Sequence, residues 1–412
     1  MNEEALMAEQ AMAGKVPDHV PRDLVVDYHY DAQPGFAEDP QGRTAQACQG
    51  RRVIYTTDLT DGRPGWMVHQ YEDVRAVYQD AEAFSSRKVA NHQGLIGANW
   101  DMVPLELDGE RHRQFRNLLN PLFAPARVNA MEAAIRDLAV SLIEAFRAKG
   151  ECEFMEDFAR RYPIAIFLKL MELPLEMRST FLEWEYEVLH AKDLAARRDG
   201  MLKIIGYLEG VIAERRKTPG DDLISFAVTA RIDGELLSED EVMGLVFMLY
   251  NGGLDTVVAT LGFMFKYLAS HPEQRRVLIE NPALLPDAIE EMLRAFAPVN
   301  SNRLVTRDME FAGVQMKQGD RVWVTIVGAN RDPQEFADPN ELDFHRQPNR
   351  HLTFAAGPHR CIGSHLARRE LKIAIEEWLA RIPDFSIRAG AVIPAHAGGV
   401  WGIENLPLVW KT

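Results

Sequence analysis

Phe354-Ala355-Ala356-Gly357-Pro358-His359-Arg360-Cys361-Ile362-Gly363 is the run on which the reading of this chain turns. It joins an apolar residue, a turn glycine, a basic cluster, one cysteine and a glycine that opens a helix. A thiolate near helical N–H groups and basic side chains is favoured in its anionic form. A soft anion of this kind can hold a haem iron from one side and push electron density toward bound oxygen. The run also suits a partly buried structural cysteine at a turn, and for a lone cysteine that plainer reading has the advantage. The rest of the sequence decides between them.

Downstream, the spacing predicts a long helix from about Gly363 to Arg381. Upstream, Arg303 to Thr325 is β-rich, with a turn at Gln318-Gly319-Asp320. The longest helix is expected over about 238–269. Ser238 and Glu241 form a capping box at its start, and Ser270-His271-Pro272 stops it. Asn251-Gly252-Gly253 interrupts it. Two mid-helix glycines weaken a helix by roughly 1 kcal/mol each relative to alanine, so they predict a kink or the close approach of something large and flat. From Asp108 to about Ala230 the pattern is helical almost throughout. Ala134, Leu138, Leu142, Ile143 and Phe146 mark one apolar face, and Ile204, Tyr207, Leu208, Val211 and Ile212 another. Residues 53–68 read as a hairpin split by Asp61-Gly62-Arg63-Pro64-Gly65, and residues 1–50 as an extended arm with short turns. No internal repeat or low-complexity linker appears. The expectation is a mainly α chain, one domain over 1–412, with a small β annex.

Composition narrows the function. The chain has 412 residues, 47% hydrophobic and 26% charged, as in ordinary globular proteins. Cys48, Cys152 and Cys361 are too few and too scattered for a disulfide framework, which points to a reducing, cytoplasmic compartment. Met1 to Arg22 has no apolar h-region, and no run of about 18 apolar residues is evident, so no membrane span is expected. A formal charge of −15 argues against a general nucleic-acid binder. It leaves room for a local basic patch facing an acidic protein.

Two further features carry chemistry. Glu291-Met292-Leu293-Arg294 places a carboxylate and a guanidinium three residues apart on one helix face. Alone, that is a surface ion pair worth at most about 1 kcal/mol. Asp255-Thr256 is a polar pair beside two glycines in an apolar helix. It suits a groove in which an acid and a hydroxyl relay protons, or a threonine bonded back to its own helix.

Together these features resemble the cytochrome P450 family, from about residue 50 to the end of the chain. Phe354, Gly357, Cys361 and Gly363 match its Phe-x-x-Gly-x-x-x-Cys-x-Gly signature. Glu291 and Arg294 match its Glu-x-x-Arg motif, and Arg346 fits its arginine upstream of the cysteine loop. Ala329-Asn330-Arg331-Asp332-Pro333 is typical of bacterial members. Gly252-Gly253-Leu254-Asp255-Thr256-Val257-Val258, Ile382-Pro383-Asp384-Phe385-Ser386-Ile387 and Leu406-Pro407-Leu408-Val409-Trp410 are similar to the camphor 5-monooxygenase group. The resemblance implies a P450 fold around a buried haem b, with 354–363 as the thiolate loop and Cys361 as iron ligand. It implies that Asp255 and Thr256 activate oxygen, and that His112, Arg116, Arg303 and His359 hold the haem propionates beside Gly363. Positive donors suit carboxylates placed in a low-dielectric pocket.

The departures bear on substrate. Camphor enzymes place a tyrosine where this chain has Trp100, and an apolar residue where it has Asn251. Leu105, Met248, Val299, Gly399 and Val400 fall at other pocket positions, though each also suits plain core packing. The pocket is expected to take a small apolar terpenoid or norisoprenoid ketone of the ionone type, with a camphor-type monoterpene as the alternative. The resemblance implies O2 as co-substrate and electrons from a [2Fe-2S] ferredoxin with an NADH-dependent ferredoxin reductase. This chain has no flavin or nicotinamide fingerprint. Arg75, Arg116 and Arg360 would form the basic patch for that partner. Two other classes stay open: a metal hydrolase using His359, Cys361 and His365, and a haem-binding carrier or sensor without catalysis.

Overall fold

A computed structural model describes residues 16–29, 34–47, 50–60, 63–90, 92–191 and 193–412. Cys48 and the Asp61-Gly62 part of the hairpin turn lie outside the described residues. The helices are α1 (Pro40–Ala47), α2 (Tyr71–Gln79), α3 (Gly109–Leu119), α4 (Pro125–Ala130), α5 (Glu132–Arg147), α6 (Tyr162–Leu170), α7 (Arg178–His190) and α8 (Leu194–Lys217). They continue with α9 (Leu223–Thr229), α10 (Glu239–Leu254), α11 (Thr256–Ser270), α12 (Pro272–Glu280), α13 (Leu285–Ala295), α14 (Ile326–Ala329) and α15 (Ser364–Arg381).

A sheet of five strands runs in the order β1 (Val53–Thr60), β2 (Arg63–Val68), β10 (Arg321–Val324), β7 (Ser301–Val305), β3 (Phe84–Ser85). β1 and β2 form the antiparallel hairpin, and β10 lies parallel to β2. β11 (Phe385–Ile387), β14 (Pro407–Trp410) and β4 (Glu151–Glu153) form a second sheet. Three two-stranded pairs complete the β structure among the described residues: β5 (Arg231–Ile232) with β6 (Glu235–Leu236), β8 (Met309–Phe311) with β9 (Val314–Met316), and β12 (Ala395–His396) with β13 (Gly402–Ile403).

The main core gathers the inner faces of α5, α6, α10, α11 and α15 around Trp378, which is fully buried. Its ring meets Phe265 at 5.1 Å and Phe154 at 5.3 Å, both edge-on. A second cluster lies under the five-stranded sheet, with Trp66, Val74 and Val322 at its centre.

Several expectations shift. The N-terminal arm is not all extended: it contains α1, whose mixed polar sequence carries no clear period. On α5 the buried stripe is Ile135, Ala139, Ile143 and Phe146, while Ala134 is exposed. The long helix opens on the predicted capping box and ends at His271. Its break falls at Asp255, two residues beyond the glycines, so it is two helices, α10 and α11. Glu239–Ser270 taken together is long and apolar enough to cross a membrane by length and composition alone, contrary to expectation. The fold's interior accounts for that hydropathy. Just over half of its most apolar window is buried, and Phe265 stacks on Phe154 at 4.2 Å.

The pair at 291 and 294 is no surface pair. Glu291 and Arg294 are both wholly buried. Arg294 grips the carboxylate with Nη2 at 2.7 Å and Nε at 2.8 Å. Arg346 Nε donates to both carboxylate oxygens at 3.1 Å, and Asn349 Nδ2 and the Asp343 N–H each donate at 3.0 Å. Burial alone would push the Glu291 carboxyl up, but these donors, Arg294 foremost, hold it below its ordinary value. Arg294 also donates to the carbonyls of Asn330, Pro339 and Glu341. Asn330 donates back to the Arg294 carbonyl, and Asp332 accepts the Tyr71 N–H at the start of α2.

Glu290, next along α13, clamps the start of the cysteine loop. Its carboxylate accepts from Arg368 Nε at 2.6 Å and Nη2 at 2.7 Å, and pairs with His351 at 3.0 Å. Burial raises the Glu290 carboxyl, but Arg368 and then His351 outweigh it and bring it to about 2 from an ordinary 4.5. A depressed carboxyl stabilises the fold above its unfolded value and stops doing so as pH falls through the folded one. This contribution is therefore complete above pH 4.5 and lost between 4.5 and 2. It is at most about 3 kcal/mol, because Glu290 keeps 29% of its side chain exposed. Glu290→Gln should destabilise the protein at pH 7 and flatten the fall in denaturation midpoint across that window. An unchanged acid limb would count against it.

Candidate active site

The cysteine loop is built from backbone contacts. Cys361 N–H donates to Phe354 O at 2.9 Å and closes it. Gly357 has φ +66°, and a Cβ there would lie 2.4 Å from Tyr78 O, so the end of α2 can approach only because the residue is glycine. The Arg368 guanidinium lies 4.4 Å over the Phe354 ring. Gly363 caps α15, and a Cβ there would meet only Cys361 Sγ, at 3.9 Å.

Cys361 has an accessible surface yet is closely surrounded by protein. Burial pushes its thiol up; the Gly363 N–H, Arg116, Arg368 and Arg360 pull it down without prevailing. The expected anionic bias is therefore present but outweighed. The thiol gives up its proton only to a partner that repays the desolvation, such as a metal.

Four donors converge beside the loop. His112 on α3 and His359 stand with ring centroids 4.1 Å apart. The Nε2 atoms of both are buried without a hydrogen-bond partner among the described residues. His359 also faces Asp108, at 3.7 Å. Burial, then the positive neighbours His359 and Arg116, lower His112 to about 4. Burial also lowers His359. Arg303, buried on β7, lies 5.3 Å over the Tyr78 ring and spends one donor on Asn302 O. Arg116 Nη1 reaches Arg360 O at 2.7 Å. Two guanidinium groups and two orphaned imidazole nitrogens fit a group carrying two carboxylates, as haem b does.

The broken helix supplies a different surface. Gly253 is pressed by Phe167 of α6, which would stand 2.4 Å from a Cβ. The large flat neighbour expected at the glycines is, at this one, a phenyl ring. Gly252 meets only Met248 Cε, at 3.1 Å, and is exposed between buried Tyr250 and Leu254. Thr256 Oγ1 lies 3.5 Å from Gly252 O, the limit of a hydrogen bond, so its back-bond is weak. α11 packs on α15, the helix that follows Cys361.

Trp100 is buried and meets Phe247 of α10 edge-on at 5.5 Å. A Cβ on Gly244 would stand 2.0 Å from Asp101 O, so the Trp100 segment lies directly on α10. Trp401 N–H donates to Pro298 O at 2.8 Å and draws the Val299 and Val400 segments together. Gly399 N–H reaches Leu189 O at the end of α7 at 3.4 Å. Leu105, Met248 and Asn251 are half-buried. Arg75 is exposed and occupied by Glu72. Among the described residues no three His, Cys, Asp or Glu side chains form a metal-ion ligand set, so His359, Cys361 and His365 do not make a hydrolase centre.

Sequence reasoning missed Glu106. It is fully buried and accepts from the Ala90 N–H, Gln93 Nε2 and the Met102 N–H, which fixes the segment carrying Trp100. No local pattern marks it, because its partners span residues 90 to 102.

Comparison with known proteins gives one consistent result. The cytochrome P450 family model matches residues 190–383. A probable cytochrome P450 127A1 of Sinorhizobium fredii is 40% identical, over 98% of this chain and 99% of that protein. A steroid C26-monooxygenase of Mycobacterium tuberculosis is 35% identical, over 74% of this chain and 85% of its own length. The crystal structure of CYP101C1 superposes with a TM-score of 0.86 at 33% identity, covering 97% of this chain and all of that one. CYP101J2 gives 0.84 at 34% identity, with the same coverage.

Proposed function

The chain belongs to the cytochrome P450 family and is a monooxygenase with haem b as its cofactor; from that premise we propose that it hydroxylates a small apolar terpenoid or norisoprenoid ketone. The observation that carries this is the wall beside the glycine-broken helix. Trp100 on Phe247, half-buried Met248 and the paired Val299 and Val400 segments are apolar, and among these pocket positions the Trp100 indole N–H and the Asn251 amide are the polar handles. The name of the mycobacterial relative, a steroid monooxygenase, agrees with an apolar ring substrate.

Haem b, when bound, supplies the iron at which dioxygen is reduced and split. Cys361 Sγ would hold it as thiolate, and His112, Arg116, Arg303 and His359 would hold its carboxylates. Asp255 carries protons into the chamber at its carboxylate oxygens. Thr256 Oγ1, loosely tied to Gly252 O, turns to donate its hydrogen there. Trp100 and Asn251 orient the ketone.

A panel of cyclic ketones, scored by the substrate-induced spin-state shift and then by product analysis, tests the substrate. Asn251→Ala and Trp100→Phe should each weaken a ketone about tenfold more than its parent hydrocarbon. Equal losses for both would remove the polar handles from the reading. Thr256→Ala should keep consuming NADH while product per NADH falls and hydrogen peroxide appears; unchanged coupling would sink the relay.

Electrons are proposed to come from an acidic [2Fe-2S] ferredoxin with its NADH-dependent reductase. The joined Arg116 and Arg360 beside the thiolate loop support this, and Arg75, tied to Glu72, adds little. A reduction rate indifferent to added salt would argue against such docking. A cytoplasmic location fits these partners.

A further inference from the structure

Trp100 stands on a segment with no regular structure of its own: residues 98–102 belong to no helix or strand. Side chains hold it instead. From one side Glu106 collects the N–H groups of Ala90 at 3.2 Å and Met102 at 3.1 Å, with the Gln93 amide at 2.8 Å. From another, Lys88 collects oxygens. Its Nζ donates to the carbonyls of Asn99 and Trp100, each at 3.2 Å, and pairs with the Asp101 carboxylate at 2.9 Å. These acceptors come from consecutive residues, with Trp100 in the middle. The remaining support is α10, where the Asp101 carbonyl lies against Gly244.

Two observations set this clamp apart from a scattered surface ion pair. The ammonium has three N–H donors, and three acceptors meet it. Lys88 also has φ +54°, a left-handed backbone that costs a residue with a Cβ and persists where its surroundings impose it. The turn before it supplies that constraint: Asp108 accepts from Ser85 Oγ and from the Ser86 N–H, and the Arg87 N–H donates to Ser85 Oγ at 3.0 Å. The Lys88 side chain keeps 38% of its surface exposed, so the clamp adds little to global stability. What it fixes is the place of one segment.

We propose that Lys88 is a positioning residue that holds Trp100 where its indole N–H meets the substrate ketone, and so sets the preference for a ketone over its parent hydrocarbon. A polar handle separates the two ligands when it is held still, because an N–H that wanders loses the alignment on which its hydrogen bond depends. The inference rests on the reading of Trp100 as a substrate contact.

The test uses the haem-loaded protein and spin-state titrations with β-ionone, or the cyclic ketone of the panel that binds tightest, against its parent hydrocarbon. Lys88→Met keeps the aliphatic stem and removes the charge. It should weaken the ketone about fivefold and leave the hydrocarbon within about twofold. Its thermal midpoint should stay within about 2 °C of wild type. In a Trp100→Phe background the same substitution should change neither affinity. Lys88→Cys treated with 2-bromoethylamine, which rebuilds an ammonium of nearly the same length, should regain the ketone, with wild type treated alike as control. In the reduced, CO-bound protein carrying 5-fluorotryptophan, the fluorine resonance missing from Trp100→Phe should be single and sharp in wild type and broadened or split in Lys88→Met. If Trp100→Phe itself loses ketone and hydrocarbon alike, the substrate contact fails and the proposal with it. If Trp100→Phe discriminates and Lys88→Met does not, the clamp is overturned and the contact stands. An unmoved Trp100 resonance in Lys88→Met overturns the clamp whatever the substrate. A large fall in midpoint, or failure to fold, overturns it too, by making Lys88 a residue of general stability.

Discussion

Arg294→Met should yield no soluble, haem-loaded protein. Methionine fills much of the space, so the loss is electrostatic and does not come from a cavity. Removing one partner of a buried pair costs about 3–5 kcal/mol. The carbonyls of Asn330, Pro339 and Glu341 lose donors as well, at about 1–3 kcal/mol for each that stays dry. Against a total stability of about 5–15 kcal/mol, the folded state does not survive. Arg346→Met is the control: Glu291 keeps both Arg294 contacts there, so a weakened but folded protein is expected. Soluble yield and thermal midpoint decide. An Arg294→Met protein melting within a few degrees of wild type would show that the pair contributes little.

Cys361→Ser should behave in the opposite way, with the fold intact and the activity gone. The loop is closed by the Cys361 N–H and by the fit of Gly357 against Tyr78, which serine leaves untouched. The side chain belongs to none of the core clusters, so its loss leaves little packing behind. What disappears is the proposed soft anionic ligand. Thermal midpoint and far-UV circular dichroism should match wild type, the reduced CO-bound absorbance band should leave the thiolate position, and product should fall to background. Retained turnover would remove Cys361 from the centre of the chemistry. A collapsed midpoint would make the thiol a structural group.

These two outcomes mark what the sequence could reveal. The cysteine loop was legible because the bond that closes it, Cys361 N–H to Phe354 O, spans only seven residues. Glu291 and Arg294 were legible as a pair, but not as a buried one. Their burial depends on Asn330, Pro339, Glu341 and Arg346, which come from chain 36 to 55 residues away. The start and end of the long helix were legible because capping and proline are near-neighbour effects. The position of its break was not: the helix continues through both glycines and is interrupted at Asp255. Glu106 looked like an ordinary loop carboxylate. Nothing within a few residues of it announces that tertiary packing encloses it. On α5 the expected Ile143 and Phe146 are buried, but Ile135 and Ala139 take the places expected of Ala134, Leu138 and Leu142 for the same reason, since only the neighbouring helices choose between its faces.

The interruption at Asp255 also bears on how the chain is made. As it leaves the ribosome, Glu239–Ser270 is a span that membrane-insertion machinery would sample. An aspartate near the centre of such a span opposes insertion by about 2.5–3.5 kcal/mol. The acid proposed to move protons therefore also biases the nascent segment toward the aqueous side, and Asp255→Leu should raise its insertion in a translation assay with microsomes.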